Sequence, residues 1–402
     1  MNPRRFNGSF TQQEPIAEDA IEAAVAVLRS GRLHRYNLDP DETGETALLE
    51  REYADWQGAR YCLACASGGQ AMQIALRAAG VAHGEPVLTN AFTLAPVPGA
   101  IAAVGARPVL VEITKDLVLD LDDMAVKAAA RGARVLMLSN MRGHLCDMER
   151  LAELTGSLGL ILIEDCAHTM GATWNGRKSG NFGLAGCFSA QTYKHVNAGE
   201  GGLLTSDDAQ FMVRAIIASG SYMLYERHGA APPAAAFSDA RLDMPNCSAR
   251  MDHLRAAILR PQIAHLDVNI ERWNERYRTL EFKLRGVSGL RLPVRPAAER
   301  YVGSSIQFTM PSISPKAARE FVEANAALGV ELKWFGAAEP VGFTSTHHDW
   351  RYVQRQSLPR SDAILATLFD MRLPLTFSLQ DCAQIGDIIS HCAAGLRVRA
   401  AT

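Results

Sequence analysis

The feature that most constrains this chain is an alternation of short apolar runs with amphipathic stretches. Apolar runs at 61–65, 86–89, 107–112, 134–138 and 160–163 are separated by helical patterns. Those patterns run from about 67 through Arg77, then over 93–103, 121–130 and 147–157. Strands that recur with a helix between them pair through crossovers, so the pattern predicts an α/β fold: a mostly parallel central sheet flanked by helices. Two further strand candidates, 184–189 and 202–205, flank a glycine-containing segment. Helices are expected at 18–30, stopped by Gly31, and at 45–57.

The pattern changes after residue 230. A stretch rich in Ala and Pro gives way to a long helical pattern from Ser248 to about Leu284, with an interruption expected at Pro261. A strand near 307–310, helix 315–328, strand 331–334 and helices 360–368 and 378–394 complete a smaller α+β unit. The 402 residues suit two or three compact units at roughly 150 residues each. The expected division is a large domain over 1–250 and a small C-terminal one over 251–402.

Charge and cysteine content narrow the function classes. The 41 basic and 43 acidic residues leave a net charge of −2, with no basic field for nucleic acid. No apolar stretch approaches the ~18 residues of a spanning helix, so no membrane partner is expected. The N-terminus lacks the apolar run of a signal peptide. Eight cysteines are too dilute for a disulfide scaffold, and a reducing cytoplasm is the expected compartment. Cys62 and Cys65, three apart on a strand, point to opposite faces and read as buried thiols rather than a metal pair. His347 and His348 read as substrate-loop or surface residues, since adjacent histidines seldom meet on one ion without further ligands. No metal is expected.

Four local features carry chemistry. Ser67-Gly68-Gly69 sits between a strand and a helix, where exposed N–H groups can cradle a phosphate, although a plain structural turn reads the same way. Glu164-Asp165-Cys-Ala-His168 follows an apolar strand, and a carboxylate there can pair with a protonated ring nitrogen or cap the next helix. Lys194 lies five residues after the strand-terminal Ser189 and can form a Schiff base if desolvation lowers its pKa. Phe92, in Asn90-Ala-Phe-Thr93, can stack on a planar cofactor or belong to the core.

In this order and spacing the features resemble the DegT/DnrJ/EryC1/StrS family of pyridoxal-phosphate aminotransferases, of aspartate aminotransferase fold type I. Ser67-Gly68-Gly69 is similar to the family's S-G-T turn, and Asn90-Ala-Phe-Thr93 to its P-x-F-T segment. Glu164-Asp-Cys-Ala-His168 matches E-D-A-A-Q/H. Cys187-Phe-Ser-Ala-Gln-Thr-Tyr-Lys194 with Gly199-Glu-Gly-Gly202 has the spacing of its lysine motif. Asn246-Cys-Ser-Ala-Arg250-Met251 is similar to N-x-R-M with one extra residue.

The resemblance implies pyridoxal 5'-phosphate as cofactor, bound covalently by Lys194, which also shuttles a proton. It implies that Asp165 pairs with the pyridine nitrogen, His168 bonds the phenolic oxygen and Phe92 stacks on the ring. Ser67, Gly68, Gly69 and Ser189 would surround the phosphate. Asn246 would reach the phosphate of a partner subunit, in a homodimer with shared active sites. The implied reaction moves an amino group from glutamate or glutamine to a keto sugar, nucleotide-linked keto sugar, keto-sugar acid or cyclitol.

The chain also departs from the pattern. Gly69 replaces the usual Thr, and Asn140-Met-Arg142-Gly-His144 replaces H-x-Y-G-Q, making Arg142 and His144 candidate substrate contacts. Arg142 clasping a substrate anion competes with a structural ion pair, for example to Asp147. Arg35-Tyr36-Asn37 and Thr346-His-His-Asp-Trp350 resemble a subgroup acting on an amino-dideoxy-octulosonate, and Ala198-Gly-Glu-Gly-Gly is similar to 3-amino-5-hydroxybenzoate synthases. The rival readings are a sugar dehydratase of the same family, in which His replaces the Schiff-base Lys, and a non-catalytic regulator that keeps the fold.

Overall fold

In a computed structural model, residues 3–342 and 344–401 are described. A seven-stranded sheet has the order β1-β9-β8-β5-β4-β2-β3. Its members are β1 (Tyr61–Cys65), β2 (Pro86–Asn90), β3 (Arg107–Val111), β4 (Val135–Ser139), β5 (Ile161–Asp165), β8 (Ala185–Ser189) and β9 (Gly202–Ser206). Short strands β6 (Thr173–Trp174), β7 (Arg177–Lys178) and β10 (Glu299–Arg300) form a second, small sheet. Only β9 runs against the rest of the large sheet: β8 and β1 both pair with it antiparallel, and all other neighbours pair in parallel. The carboxyl ends of β1, β2, β4, β5 and β8 therefore share one edge, where ligands of open α/β sheets bind.

These strands read as apolar runs because both of their faces are covered. Cys62, Leu88, Leu136 and Leu162 belong to one core. Their neighbours Leu63, Val87, Val135 and Ile163 belong to the core on the other face. Cys62 and Cys65 fall in these two different cores, both as free thiols, as the strand period required.

The flanking helices are α1 (Glu18–Ser30), α2 (Glu45–Gln57), α3 (Gly68–Ala78), α4 (Pro96–Ala103), α5 (Leu121–Arg131), α6 (Met148–Leu158) and α7 (Ala209–Gly220). Asp120, Asp147 and Asp208 cap α5, α6 and α7 by accepting from first-turn N–H groups. The expected long helix is two, α8 (His253–Ala264) and α9 (Leu266–Leu284). The break falls at His265, not at Pro261, which sits inside α8 where the helix is about to end.

A third core lies on a sheet ordered β11-β13-β12, with β11 (Ser305–Thr309), β12 (Lys333–Trp334) and β13 (Leu368–Arg372). Helices α10 (Pro315–Ala327), α11 (Pro359–Leu365) and α12 (Leu379–Ala401) complete this part. The helix expected over 360–368 stops at Leu365, and the chain turns into β13. Phe6 and Phe10 cross to this core and pack edge-on against Phe377. Helix α9 joins the halves: Ile270 and Trp273 enter the first core, Tyr277 and Leu280 the third. Among the described residues no helix is long and apolar enough to cross a membrane.

Candidate active site

Lys194 follows β8, and its Nζ lies 2.8 Å from His168 Nε2 in the turn after β5. Burial pushes the lysine down to about 7, and the positive charges of Arg142 and Arg372 push the same way while Asp165 opposes them. His168 is held well below the ordinary range, first by burial and then by Lys194, so its ring is neutral at pH 7. An amine poised near neutrality beside a neutral acceptor can act as nucleophile and as proton carrier. His195 points elsewhere: its Nε2 lies 3.1 Å from Ser304 Oγ and its ring meets Trp273 edge-on.

Asp165 is the last residue of β5. Its Oδ1 accepts from the Ala167 N–H at 3.2 Å and its Oδ2 from Ser139 Oγ at 3.1 Å. Ser139, the last residue of β4, in turn accepts from Thr93 Oγ1 at 2.8 Å. Asn90 fixes that serine by accepting from its N–H and donating to its carbonyl. Burial raises the Asp165 pKa although both hydrogen bonds pull it down. A buried carboxylate in this state gains from a cationic partner.

The Ser67 turn is built for close approach. Ser67 caps α3 by accepting from the Gln70 N–H. A Cβ on Gly68 would lie 2.8 Å from Ser189 Cβ, so the α3 N-terminus abuts the end of β8. A Cβ on Gly202 would lie 2.3 Å from the Ser67 carbonyl. A Cβ on Gly69 would meet only Ser67 Oγ, at 3.8 Å. First-turn N–H groups and the helix dipole suit an anion.

The remaining expectations fare differently. Phe92 is 1% exposed, packed with Ile113, Leu117 and Met141 and edge-on to Phe335 at 5.3 Å. Arg142 has φ 56° and donates from Nη2 to Asp370 Oδ2 at 2.7 Å; Asp147 instead caps α6. Arg142 also lines a recess of about 30 Å³ beside Lys194, together with Tyr193 and Arg372. His144 is buried, its Nε2 2.8 Å from Gln307 Oε1. Asn246 is exposed, with its side chain accepting from the Ser248 N–H, and makes no hydrogen bond to Lys194 or Asp165. Arg35 is fully buried in an ion pair with Glu50 at 3.0 Å.

A larger cavity of about 380 Å³ is also lined by Lys194, together with residues 13–17 and residues of α8 and α9. Gln13 and Trp273 border both spaces. Sequence reasoning missed these two, because nothing local marks a residue contributed by a remote segment. Ser139 and Thr93 carried a usable signal, the first a polar residue ending the apolar strand β4 and the second lying three residues past β2.

Comparison with known proteins places the chain among its relatives. A "Pleiotropic regulatory protein" of Geobacillus stearothermophilus is 33% identical over 57% of this chain; the chain spans 58% of that relative's length. The dTDP-3-amino-3,4,6-trideoxy-alpha-D-glucose transaminase of Streptomyces venezuelae is 32% identical over 68% of this chain and 67% of its own. The crystal structure of 3-amino-5-hydroxybenzoic acid synthase superposes with a TM-score of 0.81 at 25% identity, covering 96% of this chain and 99% of that one. Residues 14–390 match one family throughout, and the chain belongs to it: the DegT/DnrJ/EryC1/StrS aminotransferases.

Proposed function

We propose that the protein is a pyridoxal-phosphate-dependent aminotransferase that passes an amino group from glutamate or glutamine to a keto sugar, nucleotide-linked keto sugar, keto-sugar acid or cyclitol. The observation that carries this reading is Lys194, lowered to about 7 and 2.8 Å from a neutral His168, with Asp165 on the neighbouring strand. A family dehydratase would have His in place of this lysine.

The donor set fits the cofactor: first-turn N–H groups at the α3 N-terminus, a buried carboxylate whose pKa burial raises, and an amine lowered to about 7. Ser67, Gly68, Gly69 and Ser189 would hold the phosphate, Asp165 the ring nitrogen and His168 the phenolic oxygen. Bound there, pyridoxal phosphate supplies an electron sink for breaking and making bonds at the amine-bearing carbon. The chain's own part is electrostatic and positional. Asp165, fixed by Ser139 and Ala167, keeps a facing nitrogen protonated. Lys194 Nζ takes a proton and returns it, with His168 Nε2 orienting the amine. Burial, helped by Arg142 and Arg372, favours the uncharged form of the amine between transfers.

We also infer a homodimer in which Asn246, exposed here, reaches the partner's phosphate, and a division into a large unit over 1–250 and a small one over 251–402. Mixing Asn246→Ala with Lys194→Ala protein should restore activity through heterodimers with one intact site. No recovery after demonstrated subunit exchange would put both residues in one chain's site.

The activity itself is tested by reducing the holoprotein with borohydride, mapping the labelled peptide, and running single turnovers with glutamate, glutamine and candidate ketones. Label on Lys194 and amino transfer to a keto sugar are expected. Label elsewhere, or no transfer to any ketone, would leave a fold-keeping regulator as the better reading.

A further inference from the structure

The histidine pair at 347–348 has a third member that the sequence does not reveal. Asp362, in α11, places Oδ1 2.8 Å from His347 Nε2 and 2.9 Å from His348 Nε2. The three ligand atoms all lie within 4.8 Å of one another, and the two ring centroids are 4.0 Å apart with the rings tilted at 38°. His347 is buried, while the His348 side chain is 59% exposed, so the group has a fixed side and a side open to solvent.

The turn that presents the pair is itself fixed. The Thr346 N–H donates to Asp349 Oδ2 at 2.8 Å, and Trp350 Nε1 donates to Ser345 Oγ at 3.0 Å. Trp350 is buried with Ala91, Leu110 and Leu358. Beyond it, Gln356 bonds the edge strand β3 through the Leu110 N–H and the Pro108 carbonyl. On the other side, Ser361, next to Asp362, donates to Glu112 and accepts from the Ile113 N–H. The loop and α11 thus converge on one sheet edge, and the two histidines and the aspartate close the gap between them.

We propose that His347, His348 and Asp362 bind one divalent transition-metal ion of the zinc class, which staples the 344–353 loop to α11. Two imidazole nitrogens and one carboxylate oxygen are a borderline donor set, which suits Zn²⁺ rather than Mg²⁺ or Ca²⁺. Ligand atoms bound tetrahedrally at the usual zinc distances stand roughly 3.3 Å apart. The His348 ring and the Asp362 carboxylate therefore need to open by about half an ångström, which their exposure permits. A water on the open side completes the tetrahedron. The two histidines are neighbours in sequence, yet the turn aims both Nε2 atoms at one point. The site is built of residues outside the Lys194 cluster, and its effect is on stability rather than turnover.

The test uses the full-length holoprotein, dialysed against a chelator and titrated with zinc chloride by calorimetry and by thermal melting. One ion per chain and a melting temperature that climbs with zinc are expected. His348→Ala and Asp362→Asn should each weaken binding by at least about tenfold, the loss that even an outer partner of a metal ligand can cause. His391→Ala, an exposed histidine on α12, should change nothing, and Mg²⁺ should give no shift. Should His348→Ala fold poorly by circular dichroism, His348→Gln carries the same expectation. No zinc uptake by the wild type, or equal uptake by the His348 and Asp362 variants, would overturn the proposal.

Discussion

Arg142 Nη2 and Asp370 Oδ2 stand 2.7 Å apart in the interior, joining the turn after β4 to the middle strand of the sheet under the third core. Gln307 extends the link by donating to Asp370 Oδ1 and holding His144 at its other end. The two residues singled out as substrate contacts are thus ends of one buried network. Taking one charge from a buried pair leaves the other uncompensated, at a cost of about 3–5 kcal/mol. Asp370→Asn is expected to lower the unfolding free energy by that order in urea titrations. Arg142→Met combined with Asp370→Leu should recover most of it. Arg142→Lys should slow both half-reactions together and lower the melting temperature. A loss confined to one half-reaction would instead make Arg142 a substrate contact.

Asp165 is held by two hydrogen bonds that survive replacement of the carboxylate by an amide only in part. Asp165→Asn removes the charge that would keep a facing nitrogen protonated. Losing such an electrostatic partner costs about 2–4 kcal/mol, so each half-reaction should fall by roughly 10²–10³. Ser139→Ala leaves the charge but frees Oδ2, and a smaller loss in the same direction is expected. Stopped-flow absorbance of each half-reaction measures both, and an unchanged rate in Asp165→Asn would remove the residue from the mechanism.

The large sheet was legible because its strands are buried on both faces and so appear as apolar runs ended by polar residues. The same rule pointed to Asp165, the last residue of β5, and to Lys194, which follows β8. What stayed hidden depends on contacts between remote segments. Asp370 lies 228 residues from Arg142, and it interrupts the apolar pattern of β13, a strand the sequence did not announce. Asp362 lies 14 residues beyond His348, and only the path of the loop brings them together. Phe92 depends on a remote contact as well: its ring packs edge-on against Phe335, which nothing near residue 92 announces.

Gly68 and Gly69 make a sharp contrast one residue apart. A methyl group on Gly68 meets Ser189 Cβ at 2.8 Å and the Phe188 carbonyl at 3.3 Å, so strand or helix must move. Gly68→Ala should weaken cofactor binding and lower stability. Gly69 has open space, and Ala there gains about 0.5–1 kcal/mol over Gly in a helix. Gly69→Ala is expected to raise the melting temperature of the cofactor-free protein, and Gly69→Thr to fold normally with a hydroxyl added near the cradle. Melting curves and cofactor titrations of the three variants decide it. Similar behaviour at both positions would mean the turn is not packed as described.

The pH dependence of cofactor capture follows from Lys194. An ordinary lysine is a cation up to about pH 10.4 and nucleophilic only above it. Lys194 is lowered to about 7 by burial and by Arg142 and Arg372. The nucleophile is the free base, so its fraction rises with pH and is nearly complete about one unit above the pKa. The rate at which cofactor-free protein takes up pyridoxal phosphate should therefore climb between about pH 6 and pH 8 and then level off. Arg372→Gln removes one of the cations that disfavour protonation, so its inflection should move to higher pH. Lys194→Ala should show no covalent uptake at any pH. Rapid-mixing absorbance across a pH series reads the inflection directly. A wild-type rate still rising at pH 9 would mean that the amine is not desolvated in solution, and the role assigned to its burial would fall.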